Sequence, residues 1–218
     1  MRVIIALGAL AGPEIHQLDV KTAFLNGVLP SPVYIEQPLS HIKGDATRKV
    51  LRLKKALYGL VEAPRLWYET LSKAMASEGF KRATGDPCLY YRWQGDDLTI
   101  VGVFVDDFMM FSTNKKQLEE TKKALAKKFK TKDMGLARWV LGMRIQQTPE
   151  HKILDQSQYA KEILMKYEDD IKKAGVDKRR PRTPLPRGQT FNKNKGQVSE
   201  SEVENFRSAV GSLAHLAI

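Results

Sequence analysis

The apolar stretch IVGVFVDDFMMFS, from Ile100 to Ser112, contains two adjacent aspartates, Asp106 and Asp107. The apolar side chains on both sides predict two strands, so the aspartates fall at the tip of a β-hairpin. Carboxylates in such surroundings are costly to bury unless a cation neutralises them. The pair therefore indicates either a plain hairpin turn or a metal site, and a second Asp in place of the usual glycine makes the plain turn less favourable.

The length and charge of the chain are compatible with several classes of protein. The chain has 218 residues, enough for one larger domain or two smaller ones, and its formal net charge is +11. Such an excess of basic residues favours a polyanionic partner such as nucleic acid. The basic residues are concentrated at 114–132 and 172–187. Either run alone is usually a solvated surface, whereas the two together resemble a surface that contacts backbone phosphates.

The few cysteines and histidines exclude some classes of protein. Cys88 is the single cysteine, which excludes an intramolecular disulfide framework and a cysteine zinc cluster. We predict that Cys88 is a core residue. The four histidines show no ligand spacing. The sequence has no apolar run of transmembrane length, so we expect an intracellular protein without a membrane partner.

Hydrophobic periodicity predicts an α+β fold in which an antiparallel sheet carries the aspartates and is backed by helices. The predicted helices lie at 2–11, from Pro64 to near Gly79, and at 114–132, 157–167 and 203–218. The predicted strands lie at 15–20, 88–93, 98–105, 108–112 and 139–145, with extended pieces at 33–36 and 50–53. Residues 180–195 read as a linker rich in Pro, Gly and basic residues.

A third carboxylate, Asp19, ends the predicted strand at 15–20, within the segment QLDVKTAFLNG. Asp19 is far from Asp106 in the sequence, so only the fold can bring the two together. Nucleotidyl transfer uses two divalent cations held by carboxylates about 3.5 to 4 Å apart. One aspartate on each of two neighbouring strands is one way to hold such a pair of ions.

With these motifs the chain resembles the reverse transcriptases of copia-type LTR retrotransposons. The resemblance rests on segments that occur in the family's order: QLDVKTAFLNG at 17–27, KALYGLVEAPRLWYETL at 55–71, FVDD at 104–107, RWVLGMRI at 138–145, ILDQSQYAKEILMKY at 153–167 and TPLP at 183–186. It implies an RNA-directed DNA polymerase fragment of a Pol polyprotein. The implied parts are a palm with a ferredoxin-like core at 1–150 and a truncated helical thumb or connection segment at 151–218.

The resemblance also implies roles for individual residues. The catalytic and metal-binding residues would be Asp19, Asp106 and Asp107, holding two Mg²⁺ ions, with Mn²⁺ as an alternative. Phe24 would be a steric gate that favours deoxynucleotides, although a plain core residue is the alternative. The incoming dNTP and the template would meet Ala23, Phe24, Tyr58, Gly59 and Pro64. The primer grip would consist of Trp139, Leu141, Gly142 and Met143. Lys130 or Lys132 would protonate the departing pyrophosphate.

The chain departs from the family pattern in several places. We expect an incomplete fingers region, because the segment that precedes residue 1 in the family is missing here, as is the RNase H domain that follows. The sequence has FVDD where YVDD is usual, and Val61-Glu62 where Lys-Gln is common. The expected partners are an RNA or DNA template with its primer, dNTP, and the missing regions of the same polyprotein. The expected location is a cytoplasmic particle or the nucleus.

Two alternatives to an active polymerase remain. The first is a catalytically silent retroelement remnant that folds and binds nucleic acid through its lysines. The second is another Mg²⁺-dependent nucleotidyl transferase or cyclase built on a similar sheet.

Overall fold

Helices and antiparallel strands alternate along the computed structural model, which describes residues 2–38, 42, 49–173 and 196–217. The helices are α1 (Arg2–Ala11), α2 (Ala63–Ser77), α3 (Lys115–Lys128), α4 (Ser157–Lys166), α5 (Glu168–Lys173) and α6 (Glu200–Ala217), with a 3₁₀ turn at Ala23–Asn26. The strands are β1 (His16–Val20), β2 (Tyr34–Ile35), β3 (Leu51–Arg52), β4 (Lys81–Arg82), β5 (Leu89–Gln94), β6 (Asp97–Phe104), β7 (Asp107–Ser112), β8 (Thr131–Leu136), β9 (Trp139–Val140), β10 (Met143–Gln147) and β11 (Lys152–Asp155). The predicted α+β class with antiparallel sheets is confirmed.

The main sheet has six strands in the order β4-β5-β6-β7-β1-β8, and every neighbouring pair is antiparallel. The first strand of the chain, β1, therefore lies between two strands that come much later in the sequence. A three-stranded sheet has the order β11-β10-β9, and β2 pairs with β3.

One face of the main sheet packs against α2 and α3. Strand alternation places Leu18, Val101, Phe108 and Met110 on this face, all at most 1% exposed. The two helices cover this face with an apolar stripe of Trp67, Leu71, Met75, Leu118 and Leu125. Burying each of the larger side chains contributes about 1.5–3 kcal/mol. This core fixes the strands that carry the aspartates.

The opposite face is covered in part by α1. Ile4 of α1 sits directly over Gly102 of β6, where an added Cβ would lie 1.7 Å from Ile4 Cδ1. Glycine at this position therefore allows the helix to approach the sheet closely. Met109 and Phe111 alternate with the residues of the first core and are also buried. The sheet thus has packed side chains on both faces.

Two predictions about secondary structure are wrong. The lysine-rich helix ends at Lys128 instead of continuing to residue 132, and Thr131–Leu136 forms β8. Phe129 takes an extended conformation and is buried, and the hydrogen bonds that β8 makes with β1 outweigh the helical propensity of the lysines. The single strand expected at 139–145 is a hairpin of β9 and β10, in which Leu141 and Gly142 have positive φ.

Cys88 is exposed, so the prediction of a core cysteine is also wrong. It follows Asp86-Pro87, and its backbone N–H donates to Asp86 Oδ1 at 2.8 Å in an exposed turn. The predicted linker at 180–195, the TPLP motif and most of the basic segment at 172–187 lie outside the described residues. In the part of the chain that is described, no helix combines the length and apolarity that crossing a bilayer requires.

The chain divides into two compact units. The first comprises Met1–Val140 and Ile145–Ile153 and contains the main sheet with α1, α2 and α3. The second comprises Leu141–Arg144 and Leu154–Ile218. Within the second unit, Lys166 Nζ donates to Ser208 Oγ at 2.8 Å, and the rings of Tyr159 and His215 meet edge to face. These contacts join α4 to α6.

Candidate active site

Asp19 and Asp107 lie directly opposite each other on adjacent strands. The antiparallel register of β1 and β7 pairs Asp19 with Asp107 and Gln17 with Met109. Directly opposed side chains point to the same face, with their Cβ atoms about 5 Å apart. The fold thus brings together the two acidic segments that the sequence separates.

Asp106 belongs to the tight turn between β6 and β7. Because Phe104 pairs with Asp107, the two turn residues are Val105 and Asp106. The interpretation that both aspartates form the tip is therefore wrong, since Asp107 is already the first residue of β7. Val105 has φ 56, a left-handed conformation that β-branched residues rarely adopt. The Val20 N–H donates to the Asp106 carbonyl at 2.8 Å and ties the turn to β1.

The three carboxylates are partly open to water. Asp19, Asp106 and Asp107 are each of intermediate burial, and Phe104 next to the turn is 49% exposed. Their apolar neighbours in the sequence are buried further along β6 and β7, whereas the aspartates are not enclosed. Among the described residues, no ion pair involves any of the three carboxylates. Their negative charge is thus available to a cation.

Two polar side chains each donate a hydrogen bond to one of these carboxylates. Gln17 Nε2 donates to Asp107 Oδ1 at 3.1 Å, and the Tyr58 hydroxyl donates to Asp106 Oδ2 at 3.3 Å. Burial raises the pKa of Tyr58, and the charges of Asp106 and Asp19 and the hydrogen bond to Asp106 raise it further. Tyr58 therefore remains a protonated donor at neutral pH. Gln17 was not among the residues predicted from the sequence, although its position two residues before Asp19 places it on the same face of β1.

Phe24 and Tyr58, predicted separately as a gate and a platform, are in contact. Ala23 and Phe24 lie in the 3₁₀ turn after β1, and both are buried. The rings of Phe24 and Tyr58 have centroids 4.3 Å apart at 47°. Phe24 also belongs to the hydrophobic core, as its alternative interpretation predicted. One aromatic pair thus lies next to the Asp106 carboxylate.

Gly59 and Pro64 shape the segment that follows Tyr58. Gly59 has φ 95, and a Cβ there would have no atom within 4 Å, so the glycine provides backbone freedom in an open position. Pro64 lies in the first turn of α2, where its missing N–H is tolerated. Val61, one of the departures from the family pattern, is 96% exposed.

The predicted primer-grip residues belong to the β9–β10 hairpin. Trp139 is half-exposed, Leu141 and Gly142 form the turn, and Met143 is buried. Trp139 belongs to the first compact unit, together with the aspartates, whereas Leu141, Gly142 and Met143 belong to the second.

Of the two lysines predicted as proton donors, Lys132 is the one that pairs with a residue of the candidate site. It pairs with Asp19 across β1 and β8, and its side chain is exposed. Lys130 accepts the Lys21 N–H through its backbone carbonyl at 2.8 Å.

The carboxylates fit a metal only with additional ligands. Within the described residues, no group of three His, Cys, Asp or Glu side chains could hold a metal ion by itself. Mg²⁺ commonly takes one or two carboxylates together with water and substrate phosphates. Aspartate oxygens without cationic partners match that donor set.

An α+β chain with acidic side chains at one end of an antiparallel sheet fits the class of metal-dependent nucleotidyl transferases. The sequence profile of the family described as reverse transcriptase (RNA-dependent DNA polymerase) matches residues 1–174. This match spans well over half of the chain. The protein therefore belongs to the reverse transcriptase family.

Pol polyproteins of transposons are similar to the chain. The retrovirus-related Pol polyprotein from transposon TNT 1-94 of Nicotiana tabacum is 33% identical over 226 residues, covering 100% of this chain and 17% of the relative. That from transposon RE1 of Arabidopsis thaliana is 30% identical over 217 residues, covering 100% and 14%. The transposon Ty1-DR1 Gag-Pol polyprotein of Saccharomyces cerevisiae is 29% identical over 200 residues, covering 86% and 11%.

These relatives confirm the predicted resemblance to reverse transcriptases of copia-type retrotransposons. The chain spans less than a fifth of the length of each.

Proposed function

We propose that the chain catalyses RNA-directed DNA synthesis, adding deoxynucleotides to the 3′-OH of a primer. The observation that carries this proposal is the register of β1 and β7, which sets Asp19 opposite Asp107 beside the turn that holds Asp106. Membership of the reverse transcriptase family supports the same activity.

Asp19, Asp106 and Asp107 would hold two Mg²⁺ ions, with Mn²⁺ as a substitute. When bound, the ions lower the pKa of the attacking hydroxyl and neutralise the charge of the leaving pyrophosphate. Gln17 restrains one oxygen of Asp107, and Tyr58 restrains one oxygen of Asp106. These contacts keep both carboxylates oriented before substrate arrives, which reduces the entropy lost on binding.

The neighbouring residues would bind the nucleotide and the primer. Phe24, supported by Tyr58, would exclude a ribose 2′-OH, and the backbone of Ala23 and Phe24 would contact the triphosphate. Gly59 and Pro64 would complete a platform for the template and the incoming base. The β9–β10 hairpin, with Trp139, Leu141, Gly142 and Met143, would seat the primer terminus. Lys132, paired with Asp19, is better placed than Lys130 to protonate pyrophosphate.

We propose that residues 1–150 form a polymerase palm and that 151–218 form part of a thumb or connection segment. The path β1-α2-β6-β7-α3-β8 gives the sheet order β6-β7-β1-β8, which supports a βαββαβ, ferredoxin-like core. In the polyprotein, the fingers and RNase H regions would act with this palm on an RNA or DNA template. The reaction would take place inside the cell, in a cytoplasmic particle or in the nucleus.

Primer extension on an RNA template tests the proposal. The wild-type chain should extend a labelled primer with dNTP and Mg²⁺, and omission of the metal should abolish extension. Asp106→Asn should lower the rate by about 10³-fold or more, because several kcal/mol of metal-dependent stabilisation are lost. Asp96→Asn is the matched control, since Asp96 lies exposed in the β5–β6 turn of the same sheet.

The alternative function, a silent remnant that binds nucleic acid, gives a different result. A chain that binds primer–template but never extends it, even when the neighbouring regions of the polyprotein are supplied, would exclude polymerase activity, and binding by itself would be the function. Extension that survives Asp106→Asn would remove the proposed role of the aspartates.

A further inference from the structure

The turn that carries Asp106 is strained. Val105 is β-branched and has φ 56, and its side chain is 37% exposed. A non-glycine residue in the left-handed region persists only when the surrounding structure holds it there. Contacts with the backbone of the turn therefore decide which way Asp106 projects.

A side chain from α2 hydrogen-bonds to the backbone of this strained residue. The indole Nε1–H of Trp67 donates to the Val105 carbonyl at 2.7 Å. Trp67 is 3% exposed, and its ring meets Phe129 edge to face, with centroids 5.1 Å apart. The indole is thus fixed by the core and cannot follow Val105 if the turn relaxes. On the other side, the Val20 N–H holds the Asp106 carbonyl.

We propose that Trp67 is a positioning residue for Asp106. Its indole N–H holds Val105 in the left-handed conformation, and this directs the Asp106 carboxylate toward the Tyr58 hydroxyl, beside Asp19. Trp67 touches neither substrate nor metal and acts only through the backbone of the turn. The inference rests on the proposed metal-binding role of Asp106.

Trp67→Phe removes the donor and keeps an aromatic ring against Phe129. We expect the backbone amide NMR signals of Val20 and Asp106 to shift. The Mn²⁺ concentration that broadens the Asp106 signal should rise about five- to tenfold, the scale of one lost hydrogen bond. Trp93→Phe is the matched control, because Trp93 is exposed on β5 and should change neither readout.

A double-mutant cycle separates positioning from general packing. Glycine adopts positive φ freely, so in a Val105→Gly background the hydrogen bond from Trp67 is no longer needed to hold the turn. In that background Trp67→Phe should change the required Mn²⁺ concentration less than about twofold. An equal loss in both backgrounds, or unchanged Val20 and Asp106 signals in Trp67→Phe, would overturn the proposal.

If Trp67→Phe does not fold, Phe129→Leu loosens the indole while leaving its N–H. It should then shift the Val20 and Asp106 signals in the same direction and raise the required Mn²⁺ concentration about twofold; unchanged signals would overturn the proposal. Primer extension is read separately. The two proposals can fail separately. If Trp67→Phe changes the Mn²⁺ response as expected but the wild-type chain extends no primer, the polymerase function is contradicted and the positioning role of Trp67 stays intact.

Discussion

At Asp19, Asp106 and Asp107 the side chains lie where a packed sheet meets water. Their strands are buried a few residues away, yet each carboxylate keeps partial access to solvent. This position lowers the cost of leaving the groups ionised without a cation. It also means that a metal would add to a folded site without being needed for folding. Metal removal should therefore affect activity far more than stability.

Lys122 is a buried lysine with a full set of partners. Its Nζ lies 3.0 Å from Glu119 Oε1, 3.1 Å from Asp133 Oδ2 and 2.9 Å from His16 Nδ1, and its side chain is 7% exposed. Since an ammonium has three donors, each partner can accept one hydrogen bond. The network ties α3 to β1 and β8.

Lys122→Met should lower the free energy of unfolding by about 2 kcal/mol, measured by urea denaturation. This is less than the loss expected for a fully buried ion pair, because Glu119 and Asp133 remain half-exposed. Lys123→Met is the matched control on the next, exposed position of α3 and should change stability by less than about 0.5 kcal/mol. Similar losses in both variants would contradict a role for the network.

His16 makes stability depend on pH. Burial lowers its pKa, and the positive charge of Lys122 lowers it further, against the opposing charges of Glu14, Asp133 and Glu119. The unfolded chain therefore binds a proton at a higher pH than the folded chain does. The contribution of His16 to stability is complete above the ordinary imidazole pKa of about 6.5 and is lost as the pH falls below it.

Urea midpoints measured from about pH 8 to pH 5 should fall for the wild type below about pH 6.5. The decline should be smaller for His16→Gln, in which this position cannot titrate. Parallel curves for the two proteins would show that another group causes the decline.

At the scale of elements, the β9–β10 hairpin depends on its turn. Leu141 has φ 47 and Gly142 has φ 79, the pair of left-handed conformations typical of two-residue hairpin turns. A Cβ at Gly142 would lie 3.6 Å from His215 Nε2, an ordinary contact, so substitution acts through the backbone.

Gly142→Ala should therefore destabilise the protein by about 1–2 kcal/mol in urea denaturation. Gly85→Ala is the matched control, since Gly85 lacks a left-handed φ and a Cβ there would meet no atom within 4 Å. If Gly85→Ala costs as much as Gly142→Ala, the turn conformation is not the cause.

Elements with a local signal could be predicted from the sequence. Pro64 marks the start of α2, Gly12-Pro13 follows the end of α1, and apolar runs mark β6 and β7. The elements that were missed lack such a signal. The lysines that precede β8 predict a helix that continues to residue 132, and only the pairing with β1 makes Thr131–Leu136 a strand. Leu141 is an unusual residue for a left-handed turn position.

Some features of the candidate site could likewise be predicted from the sequence, and others could not. The aspartates could be predicted, because acidic residues at the ends of apolar strands are conspicuous in the sequence. The contacts of Gln17 with Asp107 and of Trp67 with Val105 could not, because each joins residues of distant segments. Only the register of the strands and the packing of α2 create them.

At the scale of the whole molecule, the net charge of +11 should govern binding to nucleic acid. Affinity for primer–template should fall about 10- to 100-fold between about 50 and 200 mM salt, as expected for roughly two to four phosphate contacts. Fluorescence anisotropy at several salt concentrations measures this slope. If the exposed face of α3 contacts phosphates, Lys123→Gln with Lys127→Gln should reduce the slope by about two.

Lys81→Gln, on the short strand β4 at the far edge of the sheet, is the control and should leave that slope unchanged. A slope unaffected by the α3 substitutions would mean that this basic run is a solvated surface, the other interpretation that its sequence allowed.

The position of β1 between β7 and β8 has a consequence for synthesis of the chain. His16–Val20 is translated well before both of its neighbours, Asp107–Ser112 and Thr131–Leu136. Until then β1 has two open edges, which other chains can pair with. Such non-local pairing is slow to form. The acidic cluster is thus assembled late, and the growing chain is prone to aggregation until β7 and β8 have paired with β1.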